Sequence, residues 1–449
     1  MNSTTDILKQ DAHLIQSFAD LNALKEQGAR TVINRAEGAY VYDNDGQKMI
    51  DGIAGLWCVN IGHGRQEMVD AIADQLKQLD YYSTFYNFTH PTAAALAEKV
   101  AELAPGDLNA VYFANSGSVA NDSAIRMLHH YNIRKGKPQK NKVLSRHGAY
   151  HGSTHLSMAL TTPAYSEGWH CASELVHHLR APHHWREGDG MTEAEFLDAL
   201  AEDLTQSIEH LGAENICAFI AEPIQGAGGV IAAPAGYHRR MQDICRANDI
   251  KYVADEVVTA FGRLGHFFAS EAVFDTTPDI ICTAKGLTSG YQPMSATIVT
   301  DEIHDVISGP GGMFLHGMTY SGHPAASAAA LTNIAIMERE QIPERVRTTG
   351  AYFEKLLRGL MDIELVGEVR GSHFMIGIEF VMDRATKASH PPEAEVGLKV
   401  ARACQKRGLI ARPLGNVLIL SPTLIMDEPM IDEIEAILRD AIEEVAAGL

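Results

Sequence analysis

Two positions in this chain have the residue types and surroundings for carbonyl chemistry. Lys285 stands in Thr283-Ala284-Lys285-Gly286-Leu287, and Asp255 in Tyr252-Val253-Ala254-Asp255-Glu256-Val257. A lysine amine condenses with an aldehyde to a Schiff base. An aspartate holds a proton on a pyridine nitrogen and so keeps that ring an electron sink. Read together, the pair matches the two ends of one cofactor, pyridoxal 5′-phosphate (PLP). Gly286 lets the backbone turn tightly beside the lysine. Taken singly, each residue also fits a plainer role: a lysine in a surface loop, or an aspartate that caps a helix or joins an ion pair.

A phosphate needs a cradle, and Asn115-Ser116-Gly117-Ser118 offers one between an apolar run and a helical one. Glycine permits close backbone approach, and the free N–H groups of a helix start bind anions. Ser118 is also placed to cap that helix. Thr319-Tyr320-Ser321-Gly322-His323-Pro324 is a second hydroxyl-rich candidate, equally readable as a turn. In Tyr150-His151-Gly152-Ser153 the tyrosine can stack on a flat ring. Glu222, before Pro223, can hold the cofactor's polar edge, and Val257 can pack on a ring face or simply fill the core.

These residues need elements to place them. Short apolar runs predict buried strands at 110–114, 142–144, 216–221, 250–254, 280–283 and 296–299. Helical periodicity predicts helices over 119–131, 193–211 and 237–247, with Gly212 ending the second and Asn248 a left-handed stop for the third. The span 216–254 then reads as strand, crossover helix and parallel strand. Asp255 and Lys285 each fall just past a strand, where open α/β sheets bind ligands. Residues 37–53 read as a hairpin turning at Asn44-Asp45-Gly46. Amphipathic helices follow residue 330, with helices at 396–407 and 429–445 and strands at 374–380 and 417–420. The expected architecture is α/β: a large domain over 66–330, and a smaller α+β domain built from 1–65 and 331–449.

Composition narrows the function. The 449 residues are 46% hydrophobic and carry a net charge of −20, which excludes the basic face that nucleic acid requires. Six scattered cysteines without a C-x-x-C pair predict reduced, buried thiols in a cytoplasmic protein. No stretch reaches the ~18 apolar residues of a membrane span, and the first residues lack a signal-peptide pattern. The 21 histidines show no metal-ligand spacing and are expected on the surface, with no metal bound. No G-x-x-x-x-G-K-[ST] run supports an NTPase.

Asn115-Ser116-Gly117-Ser118, Tyr150-His151-Gly152, Glu222-Pro223-Ile224-Gln225-Gly226, Asp255-Glu256-Val257, Ala284-Lys285-Gly286-Leu287 and Thr319-Tyr320-Ser321-Gly322-His323-Pro324 follow one another in a known order. In this the chain resembles the fold-type I, class III aminotransferases, which use PLP, and within them the ω-amino acid or amine:pyruvate aminotransferases. The resemblance implies a large domain with a mostly parallel seven-stranded sheet. It implies that Lys285 is the Schiff-base lysine and proton shuttle and that Asp255 binds the pyridine nitrogen. Tyr150 and Val257 would cover the two ring faces, and Gly117 and Ser118 would bind phosphate. Glu222 would sit by the ring hydroxyl, and Ser116 and His151 would complete the cofactor set. Thr319 would reach the phosphate of the neighbouring subunit, placing the sites at a homodimer interface. Trp57, Tyr150, Arg412 and, from the partner chain, Phe85 would form the substrate pocket, with Arg412 gripping a carboxylate in a bidentate fork.

Two positions depart from the family pattern: Val119 where glutamate is common, and Ala260 where glycine is usual. The implied reaction is a ping-pong transfer from a small-molecule amine donor to a 2-oxo acid acceptor such as pyruvate. A decarboxylating or isomerising class III enzyme and a non-catalytic PLP-binding protein are the alternatives.

Overall fold

The computed structural model describes residues 3–27 and 30–449; of the segment 1–65 expected in the small domain, residues 1, 2, 28 and 29 lie outside the described residues. Its centre is a seven-stranded sheet in the order Leu108–Ala114, Ser295–Thr300, Ile280–Thr283, Lys251–Asp255, Ile216–Ala221, Lys142–Arg146, Val176–Leu179. Ser295–Thr300 runs antiparallel to both neighbours, and the other pairings are parallel. The strands Ile216–Ala221 and Ile280–Thr283 are buried at every residue, as expected for a sheet covered on both faces.

The helices follow from local chemistry. Glu193–Leu211 begins in a capping box: the Thr192 hydroxyl accepts from the Glu195 N–H, and the Glu195 carboxylate accepts from the Thr192 N–H at 2.8 Å. It ends at Gly212, whose φ of 80° a side chain would resist. Its apolar face (Phe196, Leu200, Leu204, Ile208) packs with Phe219, Tyr237 and Met241, so this helix and Tyr237–Ala247 cover one side of the sheet. The left-handed stop after Tyr237–Ala247 is Asp249 (φ 56°), not Asn248, whose φ is −109°. The helix closes one residue later than its side chains suggest, because Asn248 Nδ2 reaches back to the Ile244 carbonyl.

The two ends of the chain meet. Tyr40–Asp43 and Lys48–Asp51 form the expected hairpin, with Gly46 at φ 92° in its turn. Leu409–Ile410, a strand absent from the sequence expectation, joins it in parallel, pairing Leu409 with Ile50 and Ile410 with Asp51. Val366–Ser372, Met375–Phe380, Val417–Leu420 and Arg412–Leu414 make a separate antiparallel sheet. Among the described residues, no helix is long and apolar enough to cross a membrane.

The histidines depart from expectation. His90, His151, His183 and His238 are buried, each bonded to a neighbour. His183 lies with Glu368 and Glu379, the one grouping among the described residues with metal-like spacing. Both carboxylates are already paired with Arg370, and Glu379 also with Arg186, so the group is neutralised from within. All six cysteines are free; Cys58 and Cys171 are only part-buried, and the other four are buried.

Candidate active site

A cavity of about 600 Å³ opens at the carboxyl ends of the central strands. Gly117, Ser118, Tyr150, His151, Glu222, Asp255, Val257 and Lys285 line it from the large sheet, and Trp57 and Arg412 from the terminal segments. Ten residues singled out in the sequence therefore converge on one space.

Lys285 follows Ile280–Thr283 and opens a short 3-10 turn with φ 35°. The turn is pinned from behind, because Asn333 Nδ2 donates to the carbonyls of Gly286 and Leu287 at 2.9 and 3.0 Å. A Cβ at position 286 would collide with the Asn60 side chain, so this turn requires glycine. Burial pushes the Lys285 ammonium below the ordinary lysine range, with Asp255 opposing the shift. Part of the side chain remains reachable by solvent through the cavity mouth.

Asp255 is 4% exposed and held by three donors. Its Oδ2 accepts from Asn121 Nδ2 and His151 Nδ1, each at 2.7 Å, and its Oδ1 accepts from the Val257 N–H at 3.0 Å. Such charge-assisted bonds offset the cost of burying a carboxylate. Glu222 is also buried: Oε1 accepts from the Tyr150 N–H at 2.9 Å and Oε2 from the Gly226 N–H at 2.8 Å. Burial raises its carboxyl above the usual range, with His151 opposing.

The eighteen-residue helix Gly117–Arg134 points its first turn into the cavity. Its cap is Ser116, whose Oγ accepts from the Val119 N–H at 3.3 Å; Ser118, the cap expected from sequence, is two residues further into the helix. Ser116 is thus outside the cavity lining, while Ser118 faces it and accepts from the Ser153 N–H at 3.1 Å. Val119 lies outside the lining as well, so the missing acid leaves the cavity wall as it is.

Trp57 is 3% exposed and sits in a left-handed conformation (φ 65°) at the end of Ala54–Trp57. Arg412 makes no side-chain hydrogen bond or ion pair among the described residues. Three contributors went unnoticed in the sequence. Asn121 lies one helical turn after Gly117, and that spacing places it on the same face. Phe18 and Tyr165 pack edge-on against Tyr150, with ring centroids 5.9 and 5.7 Å away. Neither sits in a recognisable local pattern.

Phe85 and Thr319 do not line this cavity. Phe85 packs against Gly317, and the Thr319 carbonyl accepts from Tyr81 Oη at 2.7 Å. Phe85 packs edge-on with exposed Tyr86, and Tyr81, which binds the Thr319 carbonyl, packs edge-on with exposed Tyr320.

The cavity fits PLP. It combines a lysine amine of lowered basicity, a carboxylate locked in place and a helix start with Gly117 and Ser118. It also leaves two buried polar atoms, Asn121 Oδ1 and His151 Nε2, without partners. Buried groups without partners cost about 1–3 kcal/mol each, and in residues lining this cavity a bound group can supply the missing partners.

Comparison with known proteins agrees. The family described as aminotransferase class-III matches residues 23–442. A putrescine–pyruvate aminotransferase of Pseudomonas aeruginosa is 42% identical over 445 residues, covering 98% of this chain and 96% of that one. An (S)-enantioselective ω-transaminase from Thermomicrobium roseum superposes with a TM-score of 0.96 at 38% identity, covering 99% of both chains. The pyridoxamine-phosphate-bound (PMP-bound) aminotransferase from Vibrio fluvialis gives 0.94 at 35% identity over 98% of both. The chain belongs to the class III aminotransferases, and its cofactor is PLP.

Proposed function

We propose that the protein transfers an amino group from a primary amine or ω-amino acid to pyruvate by a ping-pong reaction. One observation carries this reading: a single cavity holds an amine of lowered basicity, Lys285, and an arginine without an anion, Arg412. The putrescine–pyruvate relative supports an aliphatic amine donor and pyruvate as acceptor.

When bound, PLP supplies an aldehyde for amine exchange and a ring that accepts an electron pair. This chain's residues do the rest. Lys285 Nζ takes the proton from the amine-bearing carbon of the substrate, and its lowered basicity eases passing that proton on. Asp255 keeps the ring nitrogen protonated. Gly117, Ser118 and the helix start orient the phosphate, with Ser116 as the cap that sets them. Tyr150 and Val257 wall the two ring faces, and His151 and Glu222 fix Asp255 and the Tyr150 backbone. Arg412 grips the acceptor's carboxylate, while Trp57 and Tyr150 make the apolar side and exclude water.

The active unit is a homodimer, in which Phe85 and Thr319 complete the partner's site. The exposed Tyr86 and Tyr320 beside these residues support this, because exposed aromatic side chains gathered together favour an interaction surface. Two chain divisions, near 65 and 330, separate a PLP-binding domain from a small domain made by both ends. The pairing of Leu409–Ile410 with Lys48–Asp51 supports that division. The six free cysteines support a cytoplasmic location.

The test is to incubate the PLP-loaded protein with pyruvate and a panel of amines, putrescine and β-alanine included, and quantify alanine. Alanine formed in proportion to donor consumed is expected. No alanine with any donor would overturn the reading.

A further inference from the structure

We propose that Asn121 is a positioning residue of the cofactor site: it fixes the Asp255 carboxylate in place and so sets how firmly the ring nitrogen is kept protonated. This rests on the reading of Asp255 given above. Asn121 is 1% exposed and lies in the fifth position of Gly117–Arg134, so the helix that forms the phosphate cradle also carries it. Its Nδ2 has two hydrogens, and both are used. One goes to Asp255 Oδ2 at 2.7 Å and the other to the His151 carbonyl at 2.8 Å.

This double bond to the surroundings fixes the amide's orientation. If the amide flipped, its carbonyl would face the Asp255 carboxylate and the His151 carbonyl, three acceptors without a donor. The Oδ1 atom is therefore held on the other side, buried and without a partner among the described residues. A buried amide left half-satisfied beside a carboxylate is retained against a cost. What it gains is a neutral amide donor on the same Asp255 oxygen that the His151 ring contacts, so two side chains fix that oxygen in place. Asn121 thereby couples the two ends of the cofactor through one helix: the first turn faces the phosphate, and the next turn braces the carboxylate.

The test uses the full-length protein with Asn121→Ala and the isosteric Asn121→Asp, which sets a second carboxyl against Asp255. Three quantities are read: the PLP dissociation constant, the pH midpoint of the bound cofactor's visible absorbance, and the melting temperature of the cofactor-free protein. Losing a hydrogen bond to a charged group should weaken PLP binding by roughly tenfold or more. The absorbance midpoint should fall in Asn121→Ala as the ring loses its proton more easily, and Asn121→Asp, which adds a carboxyl beside the ring's partner, should shift it as well. Asp255→Asn is the control. If Asp255→Asn disturbs binding and midpoint while both Asn121 variants match the parent, the Asn121 proposal falls and the Asp255 reading stands. If Asp255→Asn itself leaves both unchanged, the reading of Asp255 falls and the proposal with it. A lower melting temperature with an unmoved midpoint would assign Asn121 to the fold alone and overturn the proposal.

Discussion

Gly117 rests directly on Val257: a Cβ at position 117 would stand 2.9 Å from Val257 Cγ1 and 3.0 Å from Cγ2. The helix that starts the phosphate cradle and the residue proposed to wall the ring thus share one contact. Gly117→Ala should push Val257 into the cavity and weaken PLP binding by about tenfold, the usual scale of overpacking. The double variant with Val257→Ala should recover part of that loss. Equilibrium PLP titration of the two single variants and the double checks it; strict additivity would refute the contact's role.

Lys285 lends itself to two measurements. Lys285→Ala should abolish alanine formation, and a substantially active variant would sink the proposed chemistry. Stability gives the second. The folded-state pKa of Lys285 is lowered, so below it the fold carries a charged lysine at a cost. Between the folded and unfolded values the unfolded chain binds more protons, so this group's contribution becomes more favourable as pH rises. Lys285→Met should therefore raise the melting temperature of cofactor-free protein near pH 7, and the gain should shrink toward the ordinary lysine range of about 10.4. Melting curves across that interval test the sign.

Arg412→Leu should raise the KM for pyruvate by roughly tenfold to a hundredfold, since a charge-assisted pair is worth about 1.5–3 kcal/mol. An aldehyde acceptor without a carboxylate should be little affected. The comparison of KM values for the two acceptors decides, and an equal rise in both would remove the clamp.

Trp57 is part of a small apolar cluster with Ile224, Met375 and Ile419. Trp57→Ala should open the cavity and admit bulkier amines, at a cost of about 3–5 kcal/mol in stability. A donor screen beside a denaturation curve measures both. Unchanged donor range would place Trp57 in the core alone.

Sedimentation should give twice the 48.9 kDa of one chain. Mixing and re-forming Lys285→Ala with Thr319→Asp tests whether Thr319 acts across the interface. In that case each mixed dimer carries one intact site, and an equal mixture regains about a quarter of the parent's activity. No recovery would return Thr319 to its own chain.

The sequence made the large sheet legible because buried parallel strands are continuous apolar runs, as in 216–221 and 280–283. Val176–Leu179 was missed because two of its four residues are histidines, tolerated at the sheet edge. Leu409–Ile410 was missed for another reason: a two-residue strand has no period to read, and only its partner 359 positions earlier defines it. Within the site, residues at strand ends stood out by type and order. Asn121 did not, since mid-helix asparagine has no signal until its carboxylate partner is known, and Phe18 depends wholly on tertiary contact.

Trp57 and Arg412 emerge from the ends of two adjacent parallel strands, Lys48–Asp51 and Leu409–Ile410, whereas Lys285 and Asp255 belong to the central sheet. The cavity is therefore walled from two frames, the central sheet on one side and the paired chain ends on the other. A substitution at either chain end can reshape that wall while leaving the central-sheet residues Lys285 and Asp255 in place.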